Sequence, residues 1–193
     1  MKRIVVFCGS GVGVSPSYAN EAHILGKTLA QEKIGLVYGG AKIGIMGAVA
    51  NAVLQFNGEV IGVIPEFLKK KEVYHPKLNE LIITKDMHQR KMKMHELSDG
   101  ILMLPGGYGT LEEFFEMLTW GQLGLHRYPI GILNTNGFYN SLLNMLGHMV
   151  EEGFVKQINF DMLLVDDTVE GVLNKMSLYE PVPVPKWITK DQT

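Results

Sequence analysis

Residues 105–113 read Pro-Gly-Gly-Tyr-Gly-Thr-Leu-Glu-Glu, which puts three glycines, a hydroxyl and two adjacent carboxylates within nine positions. Glycines let backbone N–H groups approach a ligand with no Cβ in the way. A helix that opens directly after such a loop adds unpaired N–H donors and the positive end of its dipole. Together these make an anion site, most often for phosphate. Gly106, Gly107, Gly109 and Thr110 supply the N–H groups, and Thr110 a hydroxyl as well. The same run also fits a tight turn with no ligand. Thr110-Leu111-Glu112-Glu113 fits a capping box, with Thr110 as cap and Glu113 reaching back. Glu112 then complements the helix dipole. Leu111, Phe114, Phe115 and Leu118 cluster on one helix face, so Glu112, Glu113, Glu116 and Thr119 fall elsewhere, toward solvent, a cleft or a partner subunit. Three carboxylates beside a phosphate repel it unless something cationic separates them.

The run Met-His-Gln-Arg-Lys-Met-Lys-Met-His-Glu-Leu (87–97) supplies the cation. As a helix it carries an apolar stripe of Met87, Met94 and Leu97. Arg90 falls inside that stripe and Lys91 at its edge. An arginine so placed must reach out or be paired, because an unpaired buried charge is costly. Its partner is either a carboxylate or a ligand phosphate, and the sequence leaves both open. His88 and His95, seven apart, read as surface residues. No third ligand stands at a suitable spacing, so no metal is expected.

These side chains need a frame. Continuously apolar runs at Ile4–Phe7, Leu36–Tyr38, Val60–Ile64, Leu81–Thr84, Ile101–Leu104, Ile130–Leu133 and Met162–Val165 alternate with helical patterns. The helices are expected over 16–33, 45–56, 86–97, 111–123, 139–151 and 169–179, with 66–79 less regular. Buried strands alternating with helices predict a doubly wound α/β fold of Rossmann type. Its sheet is mainly parallel and covered on both faces. One domain spans 1–180, and a proline-rich tail, 181–193, cannot continue a helix. Ligands in such sheets bind beyond the carboxyl ends of the strands, where three glycine turns fall: Cys8–Gly13, Tyr38–Gly40 and Pro105–Gly109.

Several function classes lose support. Val14 breaks the G-x-G-x-x-G pattern that starts at Gly9. Tyr38 stands where a dinucleotide fold wants an acid, so a nicotinamide dehydrogenase is disfavoured. No phosphate-loop lysine motif occurs. The single cysteine, Cys8, excludes an intrachain disulfide, fits a reducing compartment and reads as a buried residue rather than a nucleophile. A net charge of −2, with Leu68–Lys71 the one dense basic run, argues against a nucleic-acid surface. No apolar stretch approaches a membrane span or a signal segment, so a cytoplasmic protein is expected.

The residues 87–91, Ser98-Asp99-Gly100 and 105–113 resemble the LONELY GUY (LOG) family of cytokinin-activating phosphoribohydrolases. That family's signature is Pro-Gly-Gly-x-Gly-Thr-x-x-Glu with an upstream Arg-Lys pair. The likeness continues through 119–124, Pro129–Gly131, 136–140 and 152–154. It also takes in Cys8–Ser10, Tyr38–Gly40, 46–47 and Val60–Pro65. The resemblance implies hydrolysis of the N-glycosidic bond of AMP or N6-substituted AMP, such as isopentenyl-AMP, to free base and ribose 5-phosphate. It implies no cofactor. Some members carry an old label of lysine decarboxylase, but nothing here marks a pyridoxal-phosphate lysine. By motif, Arg90 and Glu113 become the catalytic pair. Lys91, Gly107, Tyr108, Gly109, Thr110, Leu111, Glu112 and Thr119 become binding positions beside Gly106, with Ser10 and Glu72 as further candidates. The family forms homodimers with active sites near the subunit interface, and a homodimer is expected. A nucleotide or molybdenum-cofactor carrier on the same fold, without hydrolysis, is the competing reading.

Overall fold

The structure is a computed structural model and describes residues 1–69 and 74–182. Glu72 and the proline-rich stretch from residue 183 onward lie outside the described residues. Among those described, seven strands alternate with eight α-helices: β1 (Arg3–Phe7), α1 (Pro16–Gln31), β2 (Gly35–Tyr38), α2 (Gly44–Gln55), β3 (Val60–Pro65), α3 (Glu66–Lys69), β4 (Glu80–Thr84) and α4 (Met87–Glu96) come first. Then follow β5 (Gly100–Met103), α5 (Tyr108–Gln122), β6 (Ile130–Leu133), α6 (Asn140–Glu151), α7 (Gln157–Phe160), β7 (Leu163–Asp166) and α8 (Val169–Ser177).

The strands form one parallel sheet in the order β4-β3-β2-β1-β5-β6-β7. The chain builds outward from β1 to β4, then crosses back so that β5 pairs with the other side of β1. The connections therefore diverge between β1 and β5, and that divergence opens a crevice at the carboxyl ends of the two strands. The strands next to it are buried on both faces because helices cover both. On one face Ile4, Val6, Leu36, Tyr38 and Leu102 meet α1, α2 and α8. On the other, Val5, Phe7, Val37, Val63, Ile101 and Met103 meet α4 and α5 through Met94, Phe114 and Met117. The edge strands β4 and β7 depart from the continuous burial expected of all seven, and Ile83 is exposed. With one neighbour instead of two, an edge strand keeps an open side.

Local chemistry sets the helix starts. Ser15 Oγ accepts from Ser17 N–H ahead of Pro16, which takes the first helical position, where its missing N–H costs nothing. Asp86 caps α4 by accepting from Gln89 N–H at 2.8 Å. α1 and α2 lie against each other at Gly26, where a Cβ would stand 2.6 Å from that of Ala52. Helix α5 begins three residues before its expected start. Gly107, with extended backbone (φ −100°, ψ −155°), takes the cap position with no side-chain bond. α3 and α7 are single short turns that periodicity did not pick out.

Candidate active site

The crevice between β1 and β5 holds a groove of about 330 Å³. Gly9, Ser10 and Gly11 line one wall and Pro105, Gly106 and Gly107 the other, with Tyr18 and Phe138 at the far end. The walls are tied by Gly9 N–H donating to Pro105 O at 3.1 Å. Glycine is required at position 106: a Cβ there would fall on Thr110 Oγ1 and 2.8 Å from Gly9 N. Gly107, Tyr108 and Gly109 are exposed and Thr110 is buried. The first N–H groups of α5 have no partner within the helix and open on this loop. Ser10 sits exposed on the rim.

The early start of α5 overturns the capping-box alternative. With Gly107 as the cap, Thr110 lies inside the first turn, and Glu113 is too far along to reach the cap N–H. Its carboxylate turns inward instead. Glu113 Oε1 accepts from Arg90 Nη1 at 2.6 Å, with the two residues 9% and 8% exposed. Arg90 Nε also donates to Val63 O at 3.0 Å, within β3. Gly39, at the end of β2, makes room for the guanidinium, since a Cβ there would stand 2.5 Å from Arg90 Nη2. Arg90 thus resolves its place in the apolar stripe by pairing with a carboxylate and a carbonyl of β3.

Burial pushes Glu113 above the ordinary glutamate range. The Arg90 charge opposes the rise without cancelling it, and Glu112 adds to it. A carboxylate so placed is a stronger base than an exposed one. Cys8 lies close enough for the Glu113 charge to reinforce the effect of burial, and its thiol is pushed far up. It stays protonated, as a buried structural cysteine does.

Lys91 answers the second part of the charge problem. Its Nζ stands 2.5 Å from Glu112 Oε1 and 3.0 Å from Glu116 Oε2, with its side chain 12% exposed. Burial works against its charge, but the bonds to the two carboxylates outweigh that and hold its pKa above the usual lysine value. All three acids of α5 are therefore engaged by two cations of α4, leaving the N-terminal end of α5 free for an anion.

The structure does not gather every expected residue. Thr119 is exposed, its Oγ1 donating to Phe115 O at 2.7 Å. It lies nine residues beyond Thr110, or about 13 Å along the helix at 1.5 Å per residue. Leu111 is half-buried and packs into the core under α5. His88 is exposed as expected, but His95 is not a surface residue. It is half-buried, 5.3 Å from the Trp120 ring, 5.2 Å from His126 and 5.1 Å from Tyr128. The end of α4 packs there on the segment after α5, where burial drives His126 down to about 4. Tyr18 and Phe138, at the groove end, were not singled out from sequence. Phe138 had one signal, its place in the family-like run 136–140, and Tyr18 had none.

Comparison with known proteins decides the family. A family model described as "Possible lysine decarboxylase" matches residues 46–176. The cytokinin riboside 5′-monophosphate phosphoribohydrolase LOG7 of Arabidopsis thaliana is 44% identical over 180 residues, 93% of this chain and 83% of the relative. The chain belongs to the LOG family. LOG4 of Arabidopsis thaliana is 45% identical over 179 residues, covering 93% of this chain and 83% of that one. The probable phosphoribohydrolase LOGL6 of Oryza sativa subsp. japonica is 44% identical over 191 residues, covering 96% and 76%. Among solved structures, the molybdenum cofactor binding protein of Rippkaea orientalis superposes with a TM-score of 0.69 at 21% identity, over 92% of this chain and 96% of that one. The molybdenum cofactor carrier protein of Chlamydomonas reinhardtii gives 0.66 at 17%, over 91% and 95%. These two share the fold. The decarboxylase wording of the family model finds little chemical support in this LOG-family site. A Schiff-base lysine needs a neutral amine, whereas Lys91 is held charged between two carboxylates.

Proposed function

We propose that this LOG-family protein hydrolyses the N-glycosidic bond of adenosine 5′-monophosphates, N6-substituted or plain, to free base and ribose 5-phosphate. The observation that carries the reading is the buried Glu113, held by Arg90 one helical turn beyond an open, glycine-lined helix start. A nucleoside monophosphate presents a dianion at one end and, as its glycosidic bond breaks, an oxocarbenium-like cation at C1′. The N–H groups of Gly107–Thr110, set by Gly106, with the Thr110 and Ser10 hydroxyls, suit the phosphate. The free oxygen of Glu113 suits C1′ and the incoming water.

In this mechanism water attacks C1′ and gives a proton to Glu113. The C1′–N9 bond breaks and its electron pair leaves with the base, which takes a proton from solvent while Glu113 returns its own to solvent. The raised basicity of Glu113 brings it closer to the working pH of a general base. Arg90 fixes the carboxylate's orientation and limits the rise. Lys91 keeps Glu112 and Glu116 from repelling the phosphate. Glu72 and Thr119 belong to the same reading as contacts farther from the sugar. So do a homodimer covering Tyr108, which stands 94% exposed beside the loop, a cytoplasmic setting, and the lack of a nucleic-acid partner. Among the described residues no helix is long and apolar enough to cross a membrane.

Incubation with AMP and with isopentenyl-AMP, followed by chromatography for free base, tests the activity. A panel with GMP and CMP reads base preference, and light scattering reads the dimer. Nucleotide that stays bound and intact under all conditions would make the protein a carrier instead.

A further inference from the structure

Between β6 and α6 the chain reads Asn134-Thr135-Asn136-Gly137-Phe138-Tyr139-Asn140. Asn134 fixes the shape of this loop: its Oδ1 accepts from Tyr139 N–H at 2.7 Å, and its Nδ2 donates to Asn140 Oδ1 at 2.8 Å. Asn136 and Gly137, at φ 55° and 67°, turn the loop back on itself. Asn136 Nδ2 then donates to Ser17 Oγ at 2.6 Å and ties the loop to the start of α1. Phe138 packs edge-on against Tyr18 at 5.7 Å and Tyr139 at 4.8 Å. All of this holds the Tyr139 side chain, 3% exposed, in one place, where its hydroxyl donates to Leu104 O at 2.8 Å.

Leu104 immediately precedes Pro105-Gly106-Gly107. Its carbonyl shares a peptide with the nitrogen of Pro105, which has no hydrogen, so that carbonyl is the sole hydrogen-bonding group of the peptide. The next carbonyl, Pro105 O, is taken by Gly9 N–H at 3.1 Å. In a planar trans peptide the N–H points opposite to the C=O. With Pro105 O tied into the wall of β1, Gly106 N–H turns the other way, toward the Tyr139 hydroxyl. Two successive carbonyls anchor the crossing from strand to loop, one through Gly9 and the other through Tyr139.

We propose that Tyr139 is a positioning residue for the phosphate cradle. Its hydroxyl donates to Leu104 O and faces Gly106 N–H, so it holds the backbone on both sides of Pro105 and thereby sets the aim of the first N–H groups of α5. This rests on the reading that the substrate's 5′-phosphate lies on Gly107–Thr110. Tyr139 touches neither the substrate nor the Arg90–Glu113 pair, so it acts on phosphate affinity and not on the bond-breaking step.

The test is Tyr139→Phe, which removes one oxygen and keeps the ring against Phe138. Affinity for ribose 5-phosphate, measured by calorimetry, should fall about five- to tenfold, the scale of one lost hydrogen bond. The KM for AMP should rise by the same factor while kcat stays within about twofold. A bond that merely stabilised the fold would lower the melting temperature and leave both the ribose 5-phosphate affinity and KM of the folded protein unchanged, and that result would overturn the proposal. A fall in kcat at constant KM would overturn it as well. Wild-type protein that fails to bind ribose 5-phosphate at all sinks the phosphate reading itself, and this proposal with it. Should Tyr139→Phe not fold, Asn134→Ser loosens the same hydroxyl from the other side of the loop and is read the same way.

Discussion

Glu113→Gln keeps the size of the side chain and removes its charge. The amide oxygen can still accept from Arg90 Nη1, which now stands 2.6 Å from the carboxylate, and Arg90 keeps its bond to Val63 O. Arg90 is only 8% exposed, however, and loses its counter-charge. Deleting one partner of a buried pair costs about 3–5 kcal/mol. Retaining a neutral hydrogen bond in its place brings the expected loss of stability to about 1–3 kcal/mol, which leaves a folded protein to assay. Turnover should suffer more. A group that stabilises transition-state charge contributes about 3–4 kcal/mol, and each tenfold in rate is about 1.4 kcal/mol. The kcat for AMP or isopentenyl-AMP should therefore fall by about 10²–10³-fold. The phosphate cradle stands on other atoms, so ribose 5-phosphate should bind as it does to wild type. Chromatographic turnover, calorimetry with ribose 5-phosphate and a thermal melt on one preparation separate these effects. Turnover within about threefold of wild type would return Glu113 to a structural ion pair and remove the basis of the mechanism.

Three further outcomes follow from the same geometry. If the ionised Glu113 is the working form, kcat/KM falls as pH drops through its pKa. Because burial raises that pKa above the ordinary value of 4.5, the acidic limb of the pH–rate profile should lie above pH 4.5, and a limb at or below that value contradicts the assignment. Lys91→Ala leaves Glu112 and Glu116 without their shared cation. It should raise the KM for AMP about tenfold in low salt, and added salt, which screens exposed charges over about 10 Å at 0.1 M, should recover part of the loss. An unchanged KM would show that these acids do not act on the phosphate. Gly106→Ala pushes a methyl group onto Thr110 and Gly9 N, so ribose 5-phosphate affinity should fall by tenfold or more, at about 1.4 kcal/mol per decade, with the sheet intact by circular dichroism.

Much of the sheet could be read along the chain because the strands beside β1 are buried on both faces and therefore continuously apolar. The edge strands were read as strands too but are less buried than that rule expects, since an edge has a neighbour on one side alone. The Arg90–Glu113 pair was half legible. An arginine inside an apolar stripe announces a buried charge, but the choice between a carboxylate and a ligand as partner depends on how α4 and α5 approach each other across β5. The start of α5 was read three residues late because Thr110 looks like a cap, while the true cap is a glycine whose backbone alone turns the chain. Contacts between segments far apart in the chain, such as Tyr139 with Leu104 or His95 with Tyr128, leave no periodic trace and needed the folded chain.

The seat of Arg90 has a consequence for how the site meets its ligand. The guanidinium is gripped from three directions: the carbonyl of Val63, the carboxylate of Glu113 and the bare backbone of Gly39. An arginine side chain carries about 2 kcal/mol of rotamer entropy, and here that freedom is surrendered when the sheet closes, long before any nucleotide arrives. The incoming ligand has less disorder to quench at this residue. Nucleotides and their mimics should accordingly meet a rigid receptor there, in which affinity follows shape rather than adaptation.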